Sequence, residues 1–141
     1  MTTPNYEDTI THPLTTDALV EQRVAALVGR ACRRQLWFLF LDQNQVQLPL
    51  LMPVSDIPEM PDASMSHLAS LIENAMEACG ARSVIVVIER YAEATFSASD
   101  KAWARSLSET FERRKTRLRC ILLSHRRGVR WFAQDDYGFS A

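Results

Sequence analysis

The sequence is short of glycine and of long apolar runs, and each shortage removes a class of protein. Four glycines are scattered over 141 residues, too few for a phosphate-binding loop or a dinucleotide-binding fingerprint. The longest apolar run covers residues 36–41, whereas a helix that crosses a bilayer needs about 18 apolar residues. Residues 1–11 are polar and hold no basic segment followed by an apolar one, unlike a secretory signal. We therefore expect a cytoplasmic protein with no membrane partner.

Cysteine and histidine are also scarce. The three cysteines are widely spaced and form no CxxC pair: Cys32, Cys79 and Cys120. This spacing excludes a zinc knuckle and a redox motif, so we expect each thiol to act as a small buried hydrophobic group. The three histidines share no spacing that would let two of them bind one metal ion: His12, His67 and His125. We expect each histidine to be solvated.

Length and composition are those of one globular domain. Hydrophobic residues make up 47% of the chain and charged residues 23%, which is enough for a core without disulfides or metal. Residues 1–15 contain two prolines and no periodicity, and are predicted to be a flexible leader. Residues 16–134 are predicted to form a single α/β domain, and residues 135–141 a frayed tail.

Three segments have the apolar spacing of a helix. The first begins near Thr16, and Thr16 or Asp17 is a plausible N-cap. The second begins at Ser64 or Ser66 and is expected to stop at Gly80, because glycine readily adopts the left-handed conformation found after a helix. The third begins near Ser99 and places apolar side chains at four-residue steps.

Five segments have the composition of strands: residues 36–41, 46–52, 83–88, 119–124 and 129–133. The first two are predicted to form a hairpin, and Pro49 favours an edge position or a bulge for the second because proline has no N–H to donate. Residues 53–63 are predicted to be a loop, and residues 125–128 the turn of a closing hairpin. The order α-β-β-α-β-α-β-β predicts an α/β fold of two or three layers, with a mixed sheet of about five strands flanked by three helices.

The order of elements and their local sequences resemble the RadC-like branch of the JAB (JAMM or MPN) domains. The resemblance covers about residues 18–133. Residues 38–46 (FLFLDQNQV) look like that family's first hairpin, and residues 84–88 look like the strand that leads into its metal loop. The segment Ser97-Ala98-Ser99-Asp100 looks like the family's S-x-x-D, and residues 120–132 resemble its final hairpin.

The resemblance implies a scaffold without its catalyst. Active members are zinc-dependent peptidases and isopeptidases that use an H-x-H pair, the aspartate of S-x-x-D and an earlier glutamate. Counting back from Ser97, the H-x-H positions are Val87 and Glu89, and residues 48–52 hold no acid. We therefore expect a pseudoenzyme with no cofactor and no metal, acting through contacts with an unknown protein partner. A homodimer is an open alternative.

The end of the fifth predicted element, the strand of residues 83–88, gathers polar residues that suggest a degenerate pocket: Glu89, Tyr91, Ser97 and Asp100. Ligands of α/β proteins often bind at the ends of buried strands, so a carboxylate pair there is compatible with an enzyme that performs acid–base chemistry. Two plainer interpretations remain open. A serine followed three residues later by an acid is also a helix capping box, and the segment between is also typical of a polar loop.

Charge is unevenly distributed along the chain. Residues 1–100 carry 13 acidic and 6 basic side chains, whereas residues 101–130 carry 2 acidic and 10 basic ones. The candidates for an anion-binding surface are Arg113, Arg114, Lys115, Arg117, Arg126, Arg127 and Arg130. If the last hairpin returns beside the third helix, these residues form one positive face that could bind nucleic acid or an acidic protein. The alternative is favourable charge at a helix C-terminus and in a solvated turn.

Overall fold

A computed structural model describes residues 13–28, 31 and 33–132. Most of the predicted leader and all of the predicted tail lie outside these ranges. So do Cys32 and His12. Within these ranges, no helix combines the length and the apolarity that a membrane span requires.

The described residues form three helices and five strands in the predicted order. The helices are α1 (Asp17–Leu27), α2 (Met65–Cys79) and α3 (Ala98–Arg113). The strands are β1 (Gln35–Leu41), β2 (Gln47–Ser55), β3 (Ser83–Glu89), β4 (Leu118–His125) and β5 (Gly128–Trp131). The predicted α/β fold with a five-stranded mixed sheet and three helices is confirmed.

The strands lie in the order β2-β1-β3-β4-β5. Strands β3 and β4 are parallel, joined by a crossover through α3, and the other neighbouring pairs are antiparallel. The carboxyl ends of β3 and β4 therefore lie together at one end of the strands, and their amino ends lie together at the other. These two sides of the sheet are called the carboxyl edge and the amino edge, as distinct from the outer strands β2 and β5.

Both faces of the sheet are covered, which explains why residues 36–41 of β1 and residues 84–88 of β3 are all apolar. Alternate residues of a strand face opposite sides. On one side, Phe38 and Val86 pack with helices α2 and α3, and on the other, Leu39 and Val87 pack with helix α1. The domain therefore has three layers. The parity of a residue number in β3 tells which helix the residue faces: even-numbered residues face α2 and α3, and odd-numbered residues face α1.

The local signals at the element ends are mostly confirmed. Thr16 caps α1 through its side chain, and Gly80 follows α2 in the left-handed conformation with φ 76°. Strand β2 lies at the edge of the sheet, as Pro49 predicted.

Two predicted boundaries are wrong. Residues 53–55, predicted as loop, continue β2, where Pro53 lies opposite Trp37. An edge strand tolerates this second proline because one side of the strand needs no N–H donors. His125, predicted to begin a turn, is the last residue of β4 and is 8% exposed. The hairpin loop therefore consists of Arg126 and Arg127 alone.

Candidate functional site

The carboxyl edge holds the predicted pocket residues. Strand β3 ends there at Glu89, and residues 90–97 lead from it to the beginning of α3. Strand β4 ends beside it at His125. The ends of adjacent parallel strands are a common place for ligands in α/β proteins, so each polar side chain at this edge is a candidate.

Glu89 is buried and bound by donors from the neighbouring strand. Its side chain accepts hydrogen bonds from Trp37 Nε1 and Gln35 Nε2, both at 2.7 Å, and from the backbone N–H of Arg33 at 3.1 Å. Only 3% of the residue is exposed. A buried carboxylate needs such donors to offset its loss of water, so this arrangement serves the fold.

Asp100 is equally buried and is held by Arg90. The carboxylate accepts from Arg90 Nε at 2.9 and 3.0 Å and from Arg90 Nη2 at 2.7 Å. It also accepts from the backbone N–H of Ser97, while Ser97 Oγ accepts from the N–H of Asp100, which completes a capping box. The predicted capping function of Ser97-x-x-Asp100 is thus present, and Arg90 adds a bidentate ion pair to it.

The predicted pocket is not assembled from its four residues. Glu89 has the parity of Val87, which faces α1, whereas Asp100 belongs to α3 on the other side of the sheet. Each carboxylate has its own donors, Ser97 is engaged as the helix cap, and Tyr91 is 70% exposed. The acid–base pair of carboxylates considered from the sequence is therefore not supported.

The zinc site implied by the resemblance does not fit these residues. Val87 offers no donor atom and lies fully buried against α1. Glu89 is engaged by three donors, and the carboxylate of Asp100 is occupied by a guanidinium. In the part of the chain that the structure describes, no three His, Cys, Asp or Glu side chains are grouped so that they could hold a metal ion.

His125 is a buried member of this edge that the sequence did not single out. Its Nδ1 accepts a hydrogen bond from the backbone N–H of Arg127 at 3.2 Å. Burial, followed by the nearby charges of Arg90 and Arg130, lowers the pKa of the His125 imidazole below its ordinary 6.5. The ring is therefore neutral at pH 7, contrary to the solvated histidine that was expected.

The remaining cations of this edge hold the segment of residues 90–97. Arg126 forms an ion pair with Glu93. Arg130 Nη1 donates to the carbonyl of Ala94 at 2.9 Å, and its guanidinium lies 4.1 Å from the centre of the Phe96 ring. The Arg90 guanidinium donates to the carbonyl of Thr95 at 2.7 Å. Arg126 and Arg130 therefore attach this segment to the β4–β5 hairpin, and Arg90, its first residue, binds a carbonyl group within it.

The predicted basic residues do not form one face. Residues 113–117 lie at the amino edge, whereas Arg126 and Arg127 lie at the carboxyl edge, at the other end of β4. At about 3.3 Å per residue, the length of this strand separates the two groups by roughly 23 Å. The candidate anion-binding surface is thus divided into two clusters with different surroundings.

An open cleft of about 820 Å³ lies at the amino edge. It is lined by residues of the β1–β2 turn, of α2 and of the two loops that lead into β3 and β4, including Arg82, Lys115, Arg117 and Arg119. Arg119 pairs with Asp17 at 3.0 Å. Arg82 was not singled out from the sequence, because a lone arginine before a buried strand has no local signature.

The thiols offer no reactive group at this edge. Burial raises the pKa of Cys120 to about 12, so its thiol stays protonated at neutral pH. Cys79 is partly buried, and its Sγ lies 3.8 Å from the carbonyl oxygen of Met76.

A comparison with models of known protein families finds no match, and a comparison with curated proteins finds no significant match. The function is therefore inferred from the geometry of the two edges.

Proposed function

We propose that this protein is a non-catalytic, JAB-like binding domain that acts through contacts with another protein. The observation that carries the proposal is the buried ion pair between Arg90 and Asp100, because it uses the one carboxylate that matches the resembled family's metal-binding aspartate.

The ion pair supplies the charge balance that a metal would otherwise provide. Arg90 follows directly after Glu89, the second position of the missing H-x-H pair, and its guanidinium is bidentate on Asp100. The side chains of the pair are 9% and 1% exposed. An aspartate buried to this degree requires a cationic partner, and a guanidinium provides one with geometry that matches a carboxylate. The pair stabilises the loop and the beginning of α3, which is a structural function.

Zinc retention tests the proposal. The purified protein is equilibrated with zinc chloride, dialysed against zinc-free buffer and examined by elemental mass spectrometry. We expect far less than one zinc per chain, and no difference between the wild type and the Asp100→Asn variant. One zinc per chain in the wild type, lost in Asp100→Asn and kept in the matched surface variant Asp62→Asn, would overturn the proposal.

Sedimentation velocity separates the two kinds of protein contact. A dimer that dissociates on dilution identifies a second copy of this chain as the partner, whereas a monomer at all concentrations excludes the homodimer. The measurement uses the purified chain alone.

A further inference from the structure

We infer that the amino-edge cleft binds a small molecule that carries phosphoryl groups. This inference goes beyond the proposed function. It concerns the opposite end of the sheet and does not depend on the resemblance.

Three cations that line the cleft have no anionic partner among the described residues: Arg82, Lys115 and Arg117. Arg82 comes from the loop before β3, and the other two come from the loop before β4. All three are exposed. The fold therefore brings together, from two separate loops, positive charges that it does not itself neutralise.

The acidic groups of the cleft are already engaged. The Glu73 carboxylate is paired with the Arg114 guanidinium, whose hydrogen bond holds the pKa of Glu73 below its ordinary 4.5. Asp42 accepts hydrogen bonds from the backbone N–H groups of Asn44 at 2.7 Å and Val46 at 3.0 Å. An incoming anion would thus meet free cations beside carboxylates whose charge is partly compensated.

Lys115 occupies a backbone position where glycine is normally favoured. Helices α2 and α3 both end at this edge in the same way, with a residue of positive φ followed by an N–H that bonds back to the last turn. The residue is Gly80 after α2, with φ 76°, and Lys115 after α3, with φ 60°. A lysine is strained in this conformation, and backbone strain is commonly retained where a side chain has a function. A functional need for the Lys115 ammonium group in the cleft explains why this strained backbone position is not occupied by glycine.

The size and lining of the cleft indicate the class of ligand. A volume of about 820 Å³ is within the range of small-molecule sites and exceeds what a single phosphate needs. One arginine guanidinium can donate two parallel hydrogen bonds to the oxygens of a phosphoryl group, and a lysine ammonium adds a compact positive charge. No aromatic side chain lines the cleft within the described ranges, so the stacking that single-stranded nucleic acid uses is missing. A small molecule with at least two phosphoryl groups fits best.

Calorimetric titration with inorganic pyrophosphate and tripolyphosphate, at constant ionic strength, tests the inference. We expect binding at least about tenfold tighter than that of sulfate, and a loss of about tenfold or more in Arg82→Ala/Arg117→Ala. The matched control is Arg126→Ala/Arg127→Ala at the carboxyl edge, which removes the same charge and should leave binding unchanged.

Lys115→Gly separates binding from folding. Glycine relieves the strain of positive φ, so this variant should be at least as stable as the wild type while it binds pyrophosphate more weakly. Unchanged affinity in this variant would remove Lys115 from the site and contradict the inference.

Other outcomes overturn the inference in different ways. Absence of pyrophosphate binding, or an equal loss in the cleft variant and the carboxyl-edge control, would show that the cleft is not a specific site. A fluorescent single-stranded oligonucleotide that binds more tightly than tripolyphosphate, and loses affinity in the cleft variant, would replace the small molecule by nucleic acid.

Discussion

Three arginines at the carboxyl edge of the sheet and two at its amino edge differ in what they contact. At the carboxyl edge, Arg90, Arg126 and Arg130 each bind a group of the segment of residues 90–97. At the amino edge, Arg82 and Arg117 have no anionic partner in the described part of the chain. Charge counted along the sequence cannot separate these two functions, because the difference lies in what each guanidinium meets after folding.

The difference arises from the contacts that hold the loops at each edge in place. The segment of residues 90–97 has a single large apolar anchor, the half-buried Phe96, which stacks on Phe132 at 4.0 Å. Hydrogen bonds from arginine side chains to its carbonyl groups, together with backbone hydrogen bonds to Ser124 and Arg126, hold its backbone in place. The amino-edge loops after α2 and α3 are short and are fixed by backbone hydrogen bonds of the helix ends. In these loops Arg82, Lys115 and Arg117 are exposed and form no ion pair within the described residues, so they are available to a ligand.

The largest effect is expected from Arg90→Ala. The change leaves the carboxylate of Asp100 buried without its partner, so the free energy of unfolding should fall by about 3–5 kcal/mol. Urea denaturation at neutral pH measures it. Arg82→Ala, the matched change at the amino edge, should alter stability by less than about 0.5 kcal/mol.

A double variant tests the cause of that loss. Arg90→Met/Asp100→Asn removes both charges and keeps a polar group at the helix cap, so it should be more stable than Arg90→Ala. Equal losses in Arg90→Ala and Arg82→Ala would abolish the distinction between the edges.

A smaller effect is expected from Trp37→Phe. Phenylalanine keeps a six-membered aromatic ring but lacks the pyrrole part of the indole and its hydrogen bond from Nε1 to Glu89, so stability should fall by about 1.5–3 kcal/mol, as for bonds to charged groups. Chemical denaturation followed by circular dichroism measures the change. The Glu89→Gln variant provides the check. If the charge of the acceptor strengthens the hydrogen bond, Trp37→Phe should lower stability less in the Glu89→Gln variant than in the wild type.

The sequence predicted the structural features that depend on residues close together in the chain. Pro49 indicated an edge strand and Gly80 the end of a helix, because proline lacks a donor and glycine tolerates positive φ. Continuous apolar runs such as residues 36–41 likewise predicted strands, and apolar residues at helical spacing predicted the helices.

The site depends on contacts that the sequence does not encode locally. Trp37 and Glu89 are 52 positions apart, and the burial of His125 depends on strands that pair only after folding. Arg90 and Arg82 are similar in sequence context, since each flanks β3, yet one is buried and the other exposed. Pairing across the sheet decides their functions, so composition could suggest a basic surface but could not divide it between two edges.

Ser97→Ala should have a moderate effect. It removes the side chain that caps α3, and the loss of such a cap costs about 1 kcal/mol. Thermal and urea unfolding measure it. Ser64→Ala is the matched control, because Ser64 precedes α2 without a side-chain hydrogen bond to that helix. If the two substitutions lower the free energy of unfolding equally, the capping box of α3 makes no specific contribution to stability.

The smallest effect is expected from the titration of His125. Its pKa is lowered in the folded protein by burial and by Arg90, Arg130 and Arg127, while Glu93 acts in the opposite direction. The unfolded chain therefore binds a proton more readily, so stability should fall as the pH drops below 6.5 and level off below the folded pKa. Urea unfolding between about pH 7.5 and about pH 5 measures the slope, in a range where carboxylates contribute little. His125→Gln should flatten the slope, and a variant as steep as the wild type would show that the carboxyl edge does not keep this imidazole neutral.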